Sequence, residues 1–330
     1  MLSGKHALLF FCSLYCQQVF ALQTDREESF SEYVDSLKQK ALGEGISEQT
    51  VNAVFPKVKM FKKVLPSDRP LSTTEVTLET YLPQTITEST VKEARFLYKK
   101  YLPELTEIGK RYGVQPRFIV ALWGVESNFG KKSNDYSVLS VTASLAYEGG
   151  LEELFQKEFM TALKISESEQ LSFEQLKGTW VGAMGQIRFM PSAYFTYGQD
   201  GDGDGKKDIW NNVSDVFASA AFYLQQSGWS ESETWGRQVR IPNTFDEALV
   251  GLENSKTFDE WQQLGVRRFD GSDLPNRGDI SASLIMPDGS GGRNYLVYGN
   301  YRALMNWKNS HYFAISVAYL SERIKFPAIN

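Results

Sequence analysis

One carboxylate, Glu126, lies near the end of a predicted helix that is otherwise apolar. Pro116 suits the first turn of this helix, where a missing N–H costs nothing, and Gly130 suits a left-handed residue after its end. Seven apolar residues cover every face and predict that the helix is buried all round: Phe118, Ile119, Val120, Ala121, Leu122, Trp123 and Val125. Loss of water and the negative end of the helix dipole both favour a neutral Glu126 carboxyl. An acid that keeps its proton near neutral pH can act as a general acid, as cleavage of a glycosidic bond requires.

The scarcity of histidine and cysteine narrows the chemistry that could accompany Glu126. Of the two histidines and two cysteines, His6, Cys12 and Cys16 fall in an N-terminal leader, and His311 alone follows it. Ser-His or Cys-His catalysis and thiolate or histidine metal sites are therefore close to excluded. The groups that remain available for catalysis or binding are carboxylates, amides, hydroxyls and a hard cation. The alternative for Glu126 is the common one, a solvated helix face or half of a salt bridge.

A second set of carboxylates has the spacing of a calcium-binding loop, in which alternate aspartates precede a glycine at a sharp turn. Gly205 takes the turn position, and Asn211 stands where a bidentate glutamate is usual, so Asp215 could supply the missing carboxylate. The predicted ligands are Asp200, Asp202, Asp204, the carbonyl of Lys206, Asp208 and Asp215. Close aspartates repel one another without a cation, and an all-oxygen site favours Ca²⁺ over zinc. The alternative is a solvated acidic turn. We expect a structural ion, because the loop lies far along the chain from Glu126.

The composition and the N-terminus indicate an exported globular protein. The chain has 330 residues, of which 42% are hydrophobic and 23% charged, and its net charge of −5 without a basic stripe argues against nucleic acid as a partner. Residues 1–21 predict a signal peptide, with Lys5 followed by an apolar run too short to span a membrane. Tyr15 before Cys16 argues against lipoprotein cleavage. These features favour a periplasmic location over an outer-membrane lipoprotein.

Hydrophobic periodicity predicts a mainly α (α+β) fold in four stretches after the leader. Residues 22–114 form a helical N-terminal region, and residues 115–235 hold the Glu126 helix and an EF-hand-like loop at 200–215. In residues 236–299, glycine, proline and asparagine increase, and a small β-rich insertion is expected. Its strand-like runs are 238–241, 282–286 and 295–298. Residues 300–330 return to helices.

Four short motifs follow one another along the chain. The first is Trp123-Gly-Val-Glu-Ser-Asn-Phe-Gly130, and the second joins Gly182-Ala-Met-Gly185 to Phe189-Met-Pro-Ser192. The third is the Asp-Gly loop that runs into Asp208-Ile-Trp210, and the last is Trp307 with Ser310-His-Tyr-Phe-Ala314. In this order and spacing the chain resembles the B-type lytic murein transglycosylases of bacteria, glycoside hydrolase family 103, along essentially its whole length after the leader.

The resemblance implies a goose-lysozyme-like helical core, calcium in the EF-hand-like loop, and cleavage of the MurNAc-β-1,4-GlcNAc bond of peptidoglycan without water. One glutamate, which by position is Glu126, would protonate the leaving oxygen. The same carboxylate would then take the proton of the C6 hydroxyl of MurNAc, which closes a 1,6-anhydro ring. No second carboxylate is marked by its spacing, and this mechanism needs none. The implied partners are peptidoglycan glycan strands and other cell-wall enzymes, and a monomer is expected.

The resemblance also suggests the residues that line the substrate cleft: Thr179, Met184, Gln186, Arg188, Tyr223, Lys308 and Phe313. Gln186 or Arg188 could bind acetamido or hydroxyl groups, and Tyr223 could stack on a sugar ring. Core packing or ordinary surface is the alternative for each of them.

The chain differs from the family pattern at several of these positions. Arg188 stands where a glutamine is usual, and Lys308 stands where an asparagine is usual. Gly150 and Leu151 occupy positions where the family often has arginines, a loss that would weaken binding of the acidic groups of the peptide stem.

Two other functions stay open at the level of the sequence. In a lysozyme-type muramidase, water attacks the sugar, and a second carboxylate near Glu126 is required. In a non-catalytic protein, the same fold would bind peptidoglycan as a calcium-stabilised scaffold.

Overall fold

The computed structural model describes residues 28–61, 76–132, 134–278 and 280–325. The predicted signal peptide lies outside these residues. Within them the fold is mainly helical with two small antiparallel sheets, which confirms the fold class expected from the sequence. In the stretches of chain that the structure describes, no helix has both the length and the apolar character needed to cross a membrane.

Helices make up most of the described chain. The α-helices are α1 (Phe30–Gly43), α2 (Glu48–Val54), α3 (Leu78–Thr85), α4 (Glu88–Lys100), α5 (Leu102–Tyr112), α6 (Pro116–Ser127), α7 (Val138–Tyr147), α8 (Glu152–Ser168), α9 (Pro191–Tyr197), α10 (Val213–Gln226), α11 (Phe258–Gln263), α12 (Gly299–Trp307) and α13 (His311–Lys325). Short 3-10 helices cover Phe55–Lys57 and Glu247–Leu249. The strands are β1 (Tyr136–Ser137), β2 (Lys177–Gly178), β3 (Gly236–Arg240), β4 (Ser255–Thr257), β5 (Arg267–Arg268), β6 (Ser281–Ile285) and β7 (Asn294–Val297).

The contacts between residues divide the chain into two units. Among the described residues, the first unit comprises 76–121 and 221–325, and the second comprises 28–61 and 122–220. The divisions fall within α6 and α10.

The second unit is built around α7 and α8, which pack on each other, with α9 against α8. Helix α7 is apolar on most of its surface, and Val138, Leu139 and Val141 are fully buried. A capping box of Ser29 and Glu32 fixes the start of α1, which packs against α7. Strand β1 precedes this helical pair in the chain and β2 follows it, and the two strands pair as a short ribbon with Tyr136 opposite Gly178.

The first unit contains a five-stranded antiparallel sheet in the order β4-β6-β7-β3-β5. All five strands lie inside the stretch 236–299, where the sequence predicts strands. Strands β3, β6 and β7 begin one or two residues before the predicted runs, and the two edge strands were missed because they have only three and two residues. The sheet and α11 enclose an apolar core that includes Phe258, Trp261 and Leu284.

The first unit also holds the C-terminal helices. Helix α13 packs against α3 and α4. The Arg95 Nε donates to the carbonyl of Arg323 at 2.7 Å, and Arg323 also pairs with Glu88 at 2.8 Å. These contacts tie the last turn of α13 to α4.

Candidate active site

Helix α6 carries Glu126 as its penultimate residue. Pro116 is its first residue, as predicted, and residues 118–123 are at most 3% exposed. Val125 and Glu126 are half-buried. The expected burial is therefore confirmed for the body of the helix, while its last turn opens toward solvent. A half-buried carboxylate on a rigid, buried helix has a fixed position and can still be reached by a ligand.

A left-handed turn begins two residues after Glu126, where α6 ends. Asn128, Phe129 and Gly130 all have left-handed backbone angles, with φ of 51°, 59° and 79°. The sequence predicted this conformation for Gly130 alone. Phenylalanine seldom adopts it, and here the buried Phe129 ring packs edge-on against Trp123 at 5.5 Å between centroids. The Ser127 hydroxyl accepts a hydrogen bond from the Gly130 N–H at 2.8 Å, which closes the turn.

Gln186 connects α6 to the segment that follows the aspartate loop. The Trp123 Nε1–H donates to Gln186 Oε1 at 2.8 Å, and Gln186 Nε2 donates to the Trp210 carbonyl at 2.8 Å. The side chain is 9% exposed. A Cβ at Gly130 would lie 2.3 Å from Gln186 Oε1, so a larger residue there would force the Gln186 amide to move. Gln186 therefore has a structural role beside the turn of α6 that precedes Glu126, and its predicted contact with substrate stays a prediction.

Arg188 reaches back to the turn that follows α6. Its Nη1 donates to Asn134 Oδ1 at 2.5 Å, and its Nη2 donates to the Lys132 carbonyl at 2.9 Å. Burial lowers the pKa of the Arg188 guanidinium, and the negative charges of Glu126 and Asp135 act in the opposite direction. The structure therefore puts a positive charge within electrostatic reach of Glu126.

Thr179 and Met184 shape the segment between β2 and Arg188. The Thr179 hydroxyl accepts from the Ala183 N–H at 3.2 Å, so it fixes a loop. Met184 is fully buried, and its N–H and carbonyl pair with Phe189 at 2.6 and 3.0 Å. Gly185 follows, and a Cβ there would lie 2.7 Å from the Ile209 carbonyl. The burial of Met184 favours the packing role that the sequence left open.

The other predicted cleft residues, Tyr223, Lys308 and Phe313, belong to the first unit. Tyr223 is 2% exposed, its hydroxyl donates to the Asn306 carbonyl at 2.7 Å, and this burial favours packing over stacking on a sugar. Lys308 is exposed, and its Nζ lies 5.2 Å from the centre of the Phe313 ring. Lys308 therefore offers the largest accessible surface of the three.

Two neighbours of these residues were not predicted as site residues. Asn134 holds the Arg188 guanidinium, and nothing in the local sequence around it indicates this role. The Trp307 ring packs edge-on against Tyr223 at 4.6 Å between centroids. Trp307 belonged to the last of the four motifs, and that motif was the available signal.

The aspartate loop brings together three of the predicted metal ligands. Carboxylate oxygens of Asp200, Asp202 and Asp204 lie within 4.8 Å of one another. The two Asp200 oxygens accept from the N–H groups of Gly203 at 2.6 Å and Gly205 at 2.8 Å, which folds the loop around them. Three converging carboxylates in a polar loop suit a hard cation such as Ca²⁺.

The remaining predicted ligands are arranged differently. Fully buried Asp215 accepts from the N–H groups of Gly201 at 2.7 Å and Asp208 at 2.6 Å. Burial raises the pKa of Asp215 to about 6, against the effect of these two hydrogen bonds. An Asp208 oxygen accepts from the N–H of Trp210 at 3.0 Å. Lys206 is exposed, and its N–H donates to Asp204 at 2.8 Å. Asp215 thus joins the two ends of the loop, and neither it nor Asp208 is in the group of three.

The sequence matches the transglycosylase SLT domain family over residues 29–322. The chain belongs to this family. The match confirms the family that the motifs indicated. The chain is also 26% identical, over 263 residues, to the membrane-bound lytic murein transglycosylase B of Escherichia coli strain K12, and the alignment covers 76% of this chain and 68% of the relative.

Solved structures agree with this transglycosylase assignment. SltB3 from Pseudomonas aeruginosa, in complex with NAG-anhNAM-pentapeptide, is 35% identical with a TM-score of 0.84, and the match covers 90% of this chain and 80% of that chain. The Escherichia coli lytic transglycosylase Slt35, in complex with calcium, has the same fold at 22% identity with a TM-score of 0.76, and the match covers 98% of both chains.

Proposed function

We propose that this member of the transglycosylase SLT domain family is a peptidoglycan lytic transglycosylase. It cleaves the MurNAc-β-1,4-GlcNAc bond and leaves a 1,6-anhydro-MurNAc end. The observation that carries the proposal is the position of Glu126, a half-buried carboxyl group in the last turn of a buried helix. The similarity to lytic murein transglycosylase B and to SltB3 supports the same substrate class.

Glu126 acts first as an acid and then as a base. Its carboxyl proton passes to the glycosidic oxygen, the bond from that oxygen to C1 of MurNAc breaks, and the GlcNAc side leaves as an alcohol. The C6 hydroxyl oxygen of the same MurNAc then bonds to C1, and its proton passes to the Glu126 carboxylate. The glutamate is restored, no water is consumed, and no second carboxylate is needed.

We propose that the aspartate loop holds one Ca²⁺ as a structural ion. The donor set fits, because Asp200, Asp202 and Asp204 supply oxygens that converge within 4.8 Å. Lys206, Asp208 and Asp215 are the other residues of the predicted set. Asp208 and Asp215 would support the ion indirectly, because they accept hydrogen bonds from backbone N–H groups in and beside the loop. When bound, the ion would neutralise the converging carboxylates and keep the loop folded. The loop takes no direct role in the chemistry at Glu126.

Several sequence-based expectations belong to the same proposal. The protein is exported by residues 1–21 to the periplasm and acts there as a monomer on glycan strands, with other cell-wall enzymes as further partners. The domain boundaries at residues 115, 236 and 300 are retained as proposed functional divisions. Thr179 and Gln186 in the second unit and exposed Lys308 in the first unit are each retained as proposed substrate-binding residues, whereas the burial of Phe313 favours packing.

Mass spectrometry of the products released from purified peptidoglycan tests the function. The wild-type protein should release anhydro-muropeptides, which are lighter than hydrolytic products by one water. Reducing-end products would identify the lysozyme-type muramidase, and binding without any product would identify the scaffold. Glu126→Gln should abolish release and leave binding of the glycan intact.

A further inference from the structure

Arg188 sits at the end of a tight turn that is closed by main-chain hydrogen bonds. Met184 and Phe189 exchange two of them, at 2.6 and 3.0 Å, and Arg188 lies between these residues with a left-handed φ of 58°. Residues other than glycine seldom adopt this conformation, so the surrounding structure must hold it in place. The turn directs the arginine side chain toward the segment that leaves the catalytic helix.

The guanidinium joins two points of that segment. Nη1 donates to Asn134 Oδ1 at 2.5 Å and Nη2 donates to the Lys132 carbonyl at 2.9 Å. The planar fork of arginine suits two acceptors at once, whereas a lysine ammonium would bind them as a single point charge. The glutamine that is usual at this position carries no charge. Both terminal nitrogens of Arg188 are thus engaged with the protein itself.

The same guanidinium interacts electrostatically with Glu126 and with Asp135. Asp135 is exposed to solvent, while Glu126 is half-buried, so the interaction with Glu126 is the less screened of the two. A fixed positive charge near Glu126 stabilises the negative charge that develops on its carboxyl group as the proton passes to the leaving oxygen.

We propose that Arg188 is a positioning residue, which holds Lys132 and Asn134 near the end of α6, keeps one positive charge within electrostatic reach of Glu126 and does not bind the glycan. This inference rests on the proposed function of Glu126. It replaces the expectation from the sequence that Arg188 binds acetamido or hydroxyl groups of the substrate.

Four variants separate the components of the proposal. Arg188→Gln removes the charge and the fork, Arg188→Lys keeps the charge without the fork, and Asn134→Ala removes one acceptor while the arginine stays. Arg95→Gln is the matched control, because Arg95 Nε also donates to a backbone carbonyl, that of Arg323 at 2.7 Å, in the other unit.

Three measurements are made on each variant. They are kcat from release of anhydro-muropeptides, hydrogen exchange of the peptide covering residues 128–136, and the dissociation constant for a soluble glycan strand. The last is measured in a Glu126→Gln background, so that the ligand stays intact.

Arg188→Gln should lower kcat by about tenfold or more, since small displacements of a catalytic group have effects of this size. Its glycan dissociation constant should stay within about twofold of that of Glu126→Gln alone, because the proposal places no glycan contact on Arg188. Arg188→Lys should recover a fraction of kcat, and Asn134→Ala should speed exchange of residues 128–136 with a smaller loss of kcat. The control should match the wild type in kcat and exchange.

A large loss of glycan affinity when Arg188→Gln is added to Glu126→Gln would overturn the proposal and identify Arg188 as a substrate-binding residue. Unchanged kcat in Arg188→Gln, or unchanged exchange in Asn134→Ala, would overturn it as well. If the wild-type protein releases no anhydro products, the proposed function fails, and the exchange measurements still decide whether Arg188 holds the turn.

Discussion

Gly130 is the position at which a single methyl group should disturb the candidate active site most directly. Its φ is +79°, and a Cβ there would lie 2.3 Å from Gln186 Oε1 and 2.7 Å from Gln186 Cδ. In Gly130→Ala the backbone must bear the left-handed strain of about 1–2 kcal/mol. The Gln186 amide must also move away from its hydrogen bonds with Trp123 and Trp210, which contribute roughly 1 kcal/mol each. The expected loss of unfolding free energy is therefore about 3–4 kcal/mol.

Gly150→Ala is the matched control for this prediction. Gly150 has a similar φ of +76°, and nothing lies within 4 Å of the position of its Cβ. The control should lose only the left-handed strain, about 1–2 kcal/mol. Urea unfolding of both variants isolates the steric effect as their difference, about 2 kcal/mol. Activity should fall in Gly130→Ala alone, because the turn after Glu126 is displaced.

A double-mutant cycle with Gln186→Ala completes the test. Without the Gln186 side chain, Gly130→Ala should cost no more than Gly150→Ala, which gives a coupling energy of about 2 kcal/mol between positions 130 and 186. Equal destabilisation by Gly130→Ala and Gly150→Ala in the wild-type background would refute the reasoning. It would mean that Gln186 swings aside freely and does not position α6.

Three further predictions concern the proposed catalytic acid, the aspartate loop and a buried glutamate. Glu126→Gln should abolish release of anhydro-muropeptides with little change in urea unfolding, and surviving cleavage would exclude Glu126 as the acid. A chelator should lower the melting temperature of the wild type and leave that of Asp202→Asn/Asp204→Asn unchanged, whereas no response from the wild type would mean that the loop does not hold Ca²⁺. Burial raises the pKa of Glu158, while hydrogen bonds from the Ser192 N–H at 2.8 Å and the Ser192 hydroxyl at 2.5 Å act in the opposite direction. The contribution of Glu158 to the free energy of unfolding is therefore full below the unfolded-state pKa, and it is lost as pH rises through the folded-state pKa. The stability of Glu158→Gln relative to wild type should therefore increase as pH rises from the unfolded-state pKa of a glutamate through the folded-state pKa of Glu158, and a constant difference would contradict the burial effect.

The sequence predicted the features of the site that depend on local patterns. The apolar residues around Glu126, with Pro116 before them, determined a buried helix with one carboxylate near its end, because helix periodicity and caps are properties of neighbouring residues. The alternate spacing of Asp200, Asp202 and Asp204 predicted that their carboxylates lie close together, because a tight loop brings such positions to one point. The four motifs in order identified the family.

Other features depend on contacts that no local pattern encodes. The hydrogen bond from Trp123 to Gln186 spans 63 positions, and that from Arg188 to Asn134 spans 54. The sequence suggested that Gln186 or Arg188 contacts the substrate, and it gave no sign of the hydrogen bonds that both side chains make within the protein. The edge strands β4 and β5 were missed, because strands of three and two residues are defined by the partners with which they pair.

The sequence by itself determined the fold class, the family and the identity of the proposed acid, because each follows from residue types and their spacing. The tertiary structure alone decided the surroundings of that acid: the left-handed turn at residues 128–130, the buried amide of Gln186 and the charge of Arg188. It also assigned Asp215 to joining the ends of the aspartate loop. The physical reason is that burial, hydrogen-bond partners and electrostatic neighbours are set by segments that meet only after the chain has folded.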